Sequence, residues 1–501
     1  MRRAIDPQMK MGAVDISQIK FDLRSRDEIP KLLMGLQYIY CNVEIREEIF
    51  KILEDVVPKG INQNNGRPGM ELWKILVLGT IRLNCNWDFD KLQEIANNHK
   101  SLREMLGHRG IWDDDYKYAL QTLKDNVSLL TPEVLDRINE IVVKSGHNLV
   151  VKKKDEKLRG RCDSFVVETD VHYPTDINLL FDAIRRAIIL IAVLCQSLNI
   201  TLWRQSRHSL RKIKKLFRKV QTLKHSTSKD EKKKAERERL IKEAYQAYID
   251  LVNGLLARIK VTVKLLLDKE LIIEEMLKRI EEYIVHAERQ IDQIQRRVMN
   301  GESIPHSEKV FSIFQEHTEW ISKGKAGVPQ ELGVKVCILE DQYGFIMHHH
   351  VMQGQTDDQI AVPMVIAAKE KFPELSICSF DKGYYSPSNL QELTRILEIV
   401  VLCKKGKLSL DQAQWESSKA FIEYRHQHSA VESAINALEN HSLDRCPDHG
   451  IDGFKRYVSL AVLGRNIQIL GNLIQKRNAN KQKRIDGLHA RMIADTISRA
   501  G

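Results

Sequence analysis

Between residues 177 and 300 the chain carries almost no helix breaker, and apolar residues return at spacings of four and three. Ile184, Ile188, Ile191, Cys195, Leu198 and Leu202 form one seam, and Ile241, Tyr245, Tyr248, Val252, Leu255 and Ile259 a second. Ile273, Leu277, Ile280, Ile284, Ala287, Ile291, Ile294 and Val298 form a third. A heptad repeat gathers apolar residues on one stripe of a helix, and that stripe must be buried against another helix. The expectation is a coiled-coil-like helical segment over 177–304 in three antiparallel pieces, broken near His225–Asp230. Asn300-Gly301, followed by Pro305, stops the last piece. Between the seams runs a very basic stretch, from Arg204 and Arg207 through Arg211, Lys212, Lys214, Lys215, Arg218 and Lys219 to Lys232-Lys233-Lys234. It is either a solvated helical face or a face that contacts phosphate, with Arg211 and Lys215 in its middle.

The chain on either side has other periods. Residues 1–155 read as a helical N-terminal domain. Gly66-Arg67-Pro68-Gly69 is a turn before an apolar helix from Met70 to Leu83, and Asp88 caps the next helix. Thr131-Pro132-Glu133 opens a further helix whose Val134, Leu135, Ile138, Ile141 and Val142 mark one face. Short helices joined by tight turns permit a DNA-binding helix-turn-helix. From Asp163 to Val171 the run is strand-like. After residue 305, strands are expected at Val334–Leu339 and Gly344–Met352, joined by a hairpin at Asp341–Gly344. A helix at 362–371, a strand at 375–380, a helix from Ser386-Pro387 and a strand at 398–403 follow. One long helix over 423–440 and a last helix over 454–473 precede a basic tail at 476–501.

Composition narrows the classes. The 501 residues exceed what one core needs. The net charge of +11 and pI near 9.1 favour an anionic partner, with nucleic acid foremost. The longest apolar run, Ala187 to Cys195, is about half a bilayer-spanning helix, so no membrane role is expected. The eight cysteines form no CxxC pair, which argues against a zinc ribbon or a disulfide framework. A cytoplasmic protein is the expectation.

With the helical segment set aside, the element order from residue 163 is β, ββ, α, β, α, β, α. That is the order of the ribonuclease-H-like α/β fold, a mixed sheet with helices on its faces, here over 160–176 and 305–475. Such a sheet brings distant acids together. Asp170 ends the first strand, Asp381 follows the fourth, and Glu432 lies within the long helix. Carboxylates suit Mg²⁺ or Mn²⁺, and two such ions can clamp the attacking and leaving oxygens of a phosphoryl transfer. Taken singly, each acid is more commonly a cap, a loop acid or a solvated helix residue. Glu168 and Asp176 are alternatives to Asp170 as first ligand. His348-His349-His350 looks metal-like, but neighbouring side chains on a strand point to opposite faces.

Three segments also resemble the acidic motifs of DDE transposases of bacterial insertion sequences, of the ISNCY type. They are Glu168-Thr169-Asp170-Val171-His172-Tyr173-Pro174-Thr175-Asp176, Phe380-Asp381-Lys382-Gly383-Tyr384-Tyr385 and His428-Ser429-Ala430-Val431-Glu432-Ser433. Gly66–Gly69 with Leu72-Trp73, and Lys323-Gly324-Lys325, are similar to other stretches of that family. The resemblance implies a catalytic and metal-binding triad of Asp170, Asp381 and Glu432, with two Mg²⁺ or Mn²⁺ ions. It implies cleavage at the element's terminal inverted repeats, then attack of the freed 3′-hydroxyl on target DNA by a homodimer or larger assembly at the bacterial nucleoid. A related signature has Tyr, Arg, Glu and Lys where this chain has Arg425, His428, Glu432 and Glu439. Without that lysine, DNA contacts fall to His428, Arg425, Lys323, Lys325, Lys404, Lys405, Arg211 and Lys215. Two rival readings are a nuclease of the same fold without strand transfer, and a non-catalytic DNA-binding scaffold.

Overall fold

A computed structural model describes residues 3–5, 15–22, 25–57, 69–108, 116–225, 231–267, 274–322 and 330–500, in two units. Residues 1–170 and 321–501 form one, and residues 171–320 the other. The turn residues Gly66, Arg67 and Pro68, the seam residue Ile273, the break at 226–230, and Lys323 and Lys325 lie outside the described residues.

The first unit begins with helices α1 (Ile29–Cys41), α2 (Val43–Glu54), α3 (Leu72–Asn84), α4 (Phe89–Asn98), α5 (Lys100–Met105), α6 (Leu120–Val127) and α7 (Pro132–Leu149). The starts of α2, α4 and α7 are written in short polar side chains that take up orphan backbone N–H groups. Asn42 accepts from the Ile45 amide at 3.3 Å, Asp88 from Lys91 at 2.7 Å and Thr131 from Val134 at 3.4 Å. Helix α3 is buried on every side, all its residues but Lys74. A helix apolar all round is an interior helix, so α3 has no free face to lay in a DNA groove.

Nor do the N-terminal helices form a core of their own. Helix α7 packs on α17 (Gly450–Ala500) and on the sheet. Asn139 and Asn466 both donate to the Ile346 carbonyl, at 3.1 and 2.9 Å, and Asn466 accepts from the Ile346 amide at 2.9 Å. Gly146 lies under the Phe345 ring, where a Cβ would stand 2.2 Å from the ring edge. The expected boundary at 155 therefore crosses one continuous apolar core. Helix α17 also runs on past Leu473, through the expected basic tail.

The sheet is centred on β1 (Leu158–Thr169), which starts five residues earlier than expected. After the helical unit, the chain enters β2 (Glu319–Ser322) and then the hairpin β3 (Gln330–Asp341) and β4 (Ile346–Met352). The Asp341 carboxylate accepts from the Tyr343 and Phe345 amides at 2.8 and 2.9 Å, and Gly344 takes φ +89°. That closes the hairpin expected at this turn. Helix α12 (Asp357–Lys371), capped by Thr356 and Gln359, leads to β5 (Leu375–Phe380). Helix α13 (Pro387–Ile396) leads to β6 (Ile399–Val401). Helices α14 (Leu410–Glu416), α15 (Lys419–His428) and α16 (Ala430–Leu438) precede the short β7 (Arg445–Cys446) and α17. The seven strands make a mixed sheet in the order β2-β3-β1-β5-β6, with β4 on β3 and β7 on β1. β1 is antiparallel to β3 and parallel to β5.

The single helix expected over 423–440 is two. The Ser429 hydroxyl donates back to the His426 carbonyl at 2.8 Å, a side-chain bond that competes with the helical ladder. A wider turn over Glu439–Leu443 follows, with Ser442 at φ +83°.

The second unit holds α8 (Asp176–Ser197), α9 (Ser206–His225), α10 (Glu231–Leu267) and α11 (Glu274–Ile294) around its own core. The seams are buried as expected at Ile184, Ile188, Ile191, Tyr245, Tyr248, Val252, Ile280, Ile284 and Ile291. The first seam stops short: Asn199 adopts φ +55°, the left-handed conformation that ends helices, and Leu202 is exposed. Four helices replace three because α9 buries only the apolar positions Ile213 and Val220 among its lysines and arginines. Among the described residues, no helix is long and apolar enough to cross a membrane.

Candidate active site

The parallel register of β1 on β5 decides which acids meet. Arg161 lies beside Ser379 and Cys162 beside Phe380, so the next residues along are Asp163 and Asp381. With a period of two, Arg161 and Asp163 share one face with Ser379 and Asp381. That face is covered by α15 and α16. His428 Nδ1 meets the Ser379 hydroxyl at 3.0 Å, and Arg159 donates to the Gln427 side-chain oxygen at 2.9 Å. Arg161 donates to the Gln427 carbonyl at 3.4 Å. These bonds hold the end of α15 on the sheet, and Glu432 follows in the first turn of α16.

Asp163, Asp381 and Glu432 line one open cleft of about 470 Å³. Asp357, from the first turn of α12, and Glu439 are further acids in it, with Lys335 and Asn436. The Ser164 hydroxyl donates to Asp357 at 2.6 Å and Lys335 Nζ lies 3.2 Å from its other oxygen. A Cβ on Gly383 would stand 3.5 Å from Asp357 Oδ2 and 3.9 Å from Asp381 Oδ2. The glycine thus leaves open the space where these two carboxylates approach each other. Burial pushes the Asp163 carboxyl up to about 6, and the charges of Asp381, Asp357 and Glu432 add to the shift.

An adjoining recess of about 370 Å³ shares Asp381 and Glu432 and adds Lys382, Lys404, Arg425 and His428. Burial holds the His428 imidazole below its usual range, against the pull of Asp381 and Glu432. Lys405 is exposed, with Nζ donating to the Gly383 carbonyl at 3.0 Å. Of the basic residues picked from sequence, Lys404, Arg425 and His428 therefore reach the acids. Arg211 and Lys215 are exposed on α9 in the helical unit.

Asp170 is not at this cleft. It follows the far end of β1, seven residues beyond Asp163, or about 23 Å at the usual rise of a strand. There its carboxylate is 61% exposed and lies 3.7 Å from Arg445. Glu168 is at the same end, 3.1 Å from Arg445. Asp176 pairs with Arg297 at 2.7 Å in the helical unit. Of the three acids expected to come together, Asp381 and Glu432 share the cleft and Asp170 does not, while Asp163 lies beside Asp381. The register Arg159 on Ile377 through Cys162 on Phe380 puts Asp163 there, and it depends on a one-residue shift after Leu158 that no sequence pattern announces. Asp357 had a weaker signal, as the residue after Thr356 in a capping sequence.

The donors are all hard oxygens, the set that Mg²⁺ or Mn²⁺ takes. A divalent cation would also offset the burial and the neighbouring charges that raise the Asp163 carboxyl. The acids line the cleft without closing on one point: among the described residues no three His, Cys, Asp or Glu side chains are grouped to hold an ion. The histidine triplet is half-buried and engaged by neighbouring side chains outside the cleft. His349 meets the Ser459 hydroxyl at 3.0 Å and His350 the Gln355 side-chain oxygen at 2.8 Å. Burial pushes His348 and His349 down to about 3 and about 4, so both are neutral.

Comparisons with protein-family models, characterised proteins and solved structures return no match for this chain.

Proposed function

We propose that the chain is a DDE-type DNA transposase that cleaves DNA at the ends of its own element and joins the freed 3′-hydroxyl to target DNA. The observation that carries this reading is that Asp163, Asp381 and Glu432 line one open cleft, flanked by cations. The strand order, with one acid within β1, one after its parallel neighbour and one on a covering helix, supports a ribonuclease-H-like catalytic sheet.

In this reading Asp163, Asp381 and Glu432 hold divalent metal, which when bound supplies charge neutralisation and an acidified water. The chain's own residues do the rest. Lys404 and Arg425 bind the phosphates that flank the scissile bond, and Lys382 stands beside Asp381 to meet a non-bridging oxygen. His428, neutral and fixed on Ser379, keeps the Glu432 helix on the strand ends rather than carrying charge. Asp357, engaged by Ser164 and Lys335, orders the opposite wall. The exposed arginines and lysines of α9 add a second basic surface that grips DNA.

The test is a Mg²⁺- or Mn²⁺-dependent nicking and joining assay with the purified chain, on duplexes carrying the inverted repeats that flank its gene. Cleavage followed by joined product is the expected result. Cleavage without joining would make the chain a nuclease, and DNA binding without metal-dependent cleavage would make it a scaffold.

A further inference from the structure

Within the helical unit, a separate cavity of about 370 Å³ opens between the start of α8 and the end of α11. Its wall includes Gln290, which is fully buried. Among the described residues, neither the Nε2 nor the Oε1 of Gln290 has a hydrogen-bond partner. Buried amides in folded proteins are almost always paired, so the Gln290 amide offers a donor and an acceptor to whatever enters the cavity. The neighbouring Gln293 makes the contrast, since its amide donates to the Glu308 carbonyl at 2.7 Å.

The rest of the wall indicates what the ligand is. Trp320 packs edge-on to Tyr173 with ring centroids 5.7 Å apart, and tilts against Phe311 at 5.7 Å. These rings give an aromatic surface at one side of the cavity. Lys309 and Arg297 bring positive charge to the same space, with Arg297 already holding Asp176 at 2.7 Å. A planar aromatic group with a donor and an acceptor side by side would pair with the Gln290 amide, as glutamine pairs with the edge of adenine. An attached phosphate would meet the cations.

We propose that this cavity binds a nucleoside phosphate, with its base on the Trp320 surface and its edge on Gln290. The source is either a free nucleotide or an unpaired nucleotide of a DNA strand. The proposal does not depend on the catalytic reading, because it concerns residues of the helical unit alone.

Calorimetric titration of the full chain tests it with four probes: dAMP, deoxyribose 5-phosphate, a duplex with one extrahelical adenine, and the same duplex fully paired. The expected result is base-dependent binding, of dAMP over the sugar phosphate or of the bulged over the paired duplex. Gln290→Leu should weaken that preference tenfold or more while the melting temperature holds or rises, since leucine fills the site without an unpaired amide. Trp320→Ala, at the half-buried mouth, is the second variant and should weaken it similarly. Preference for dAMP identifies a free nucleotide; preference for the bulge identifies a strand. No base dependence with any probe, or a base preference unchanged in both variants, overturns the proposal.

Discussion

Asp163 lies midway along β1, where the pairing with β5 ends, and Asp170 just past its C-terminus, and they differ in everything but residue type. Asp163 is largely buried, faces three other carboxylates and has its proton held to about pH 6. Asp170 is 61% exposed, with Arg445 at 3.7 Å. The lesson is that an acid's chemistry comes from the register of the neighbouring strand. β5 runs parallel to β1 and stops opposite Cys162, so the acid of β1 that comes beside Asp381 is the next residue along.

The largest effect that separates the two aspartates is on catalysis. Asp163→Asn, Asp381→Asn and Glu432→Gln should each reduce metal-dependent end cleavage by about a thousandfold or more, the order of effect seen when a charge-stabilising group is removed. DNA binding, read by gel shift, should persist. Asp170→Asn should cleave within a fewfold of the unaltered chain. If the Asp170 variant is dead and the Asp163 variant active, the site belongs at the C-terminal end of the strand.

The second effect is on stability against pH. The Asp163 carboxyl is raised when folded, from an ordinary value near 4 to about 6. Below pH 4 it is neutral in both states and costs nothing. As pH rises from 4 to 6, the unfolded chain releases the proton while the folded chain keeps it, and stability falls. Above pH 6 the whole cost is present. Asp163→Asn removes it, so the variant should gain roughly 1–3 kcal/mol over the unaltered chain at pH 8 and nothing near pH 4. Asp170→Asn should stay within about 0.5 kcal/mol at either pH, as exposed substitutions do. Urea melts at the two pH values read both.

The same contrast explains what could be read from sequence. Periodic segments were legible because burial enforces their period: the seams of α8, α10 and α11, and the caps Asp88 and Thr131, lie where the residues put them. Asp381 and Glu432 were legible because each follows or sits in an element with a clear pattern. Asp163 opens the strand expected from sequence, but Asp170 closes it and lies in the family-like motif, and only the register of β1 on β5 shows which of the two meets Asp381. The N-terminal region read as a separate domain because pairings such as Asn139 with Asn466, at 2.7 Å across 327 residues, leave no local trace. Helix α9 was hidden among its charges, since two fully buried residues in twenty give no seam.

The smallest effect tests whether the exposed cations of α9 belong to the same function as the cleft. They lie in a different unit from the acids, so their substitution should leave cleavage chemistry untouched and act on DNA affinity alone. Removing one cation that neutralises a phosphate lowers the slope of log K against log salt by about 0.9 for duplex DNA. Arg211→Ala with Lys215→Ala should therefore flatten that slope by up to about 1.8, equally for any sequence. Lys404→Ala with Arg425→Ala, beside Asp381, should flatten it comparably and also slow cleavage at saturating DNA. An unchanged slope in the α9 variant would make its basic face a solvated surface and leave DNA binding to the sheet unit alone.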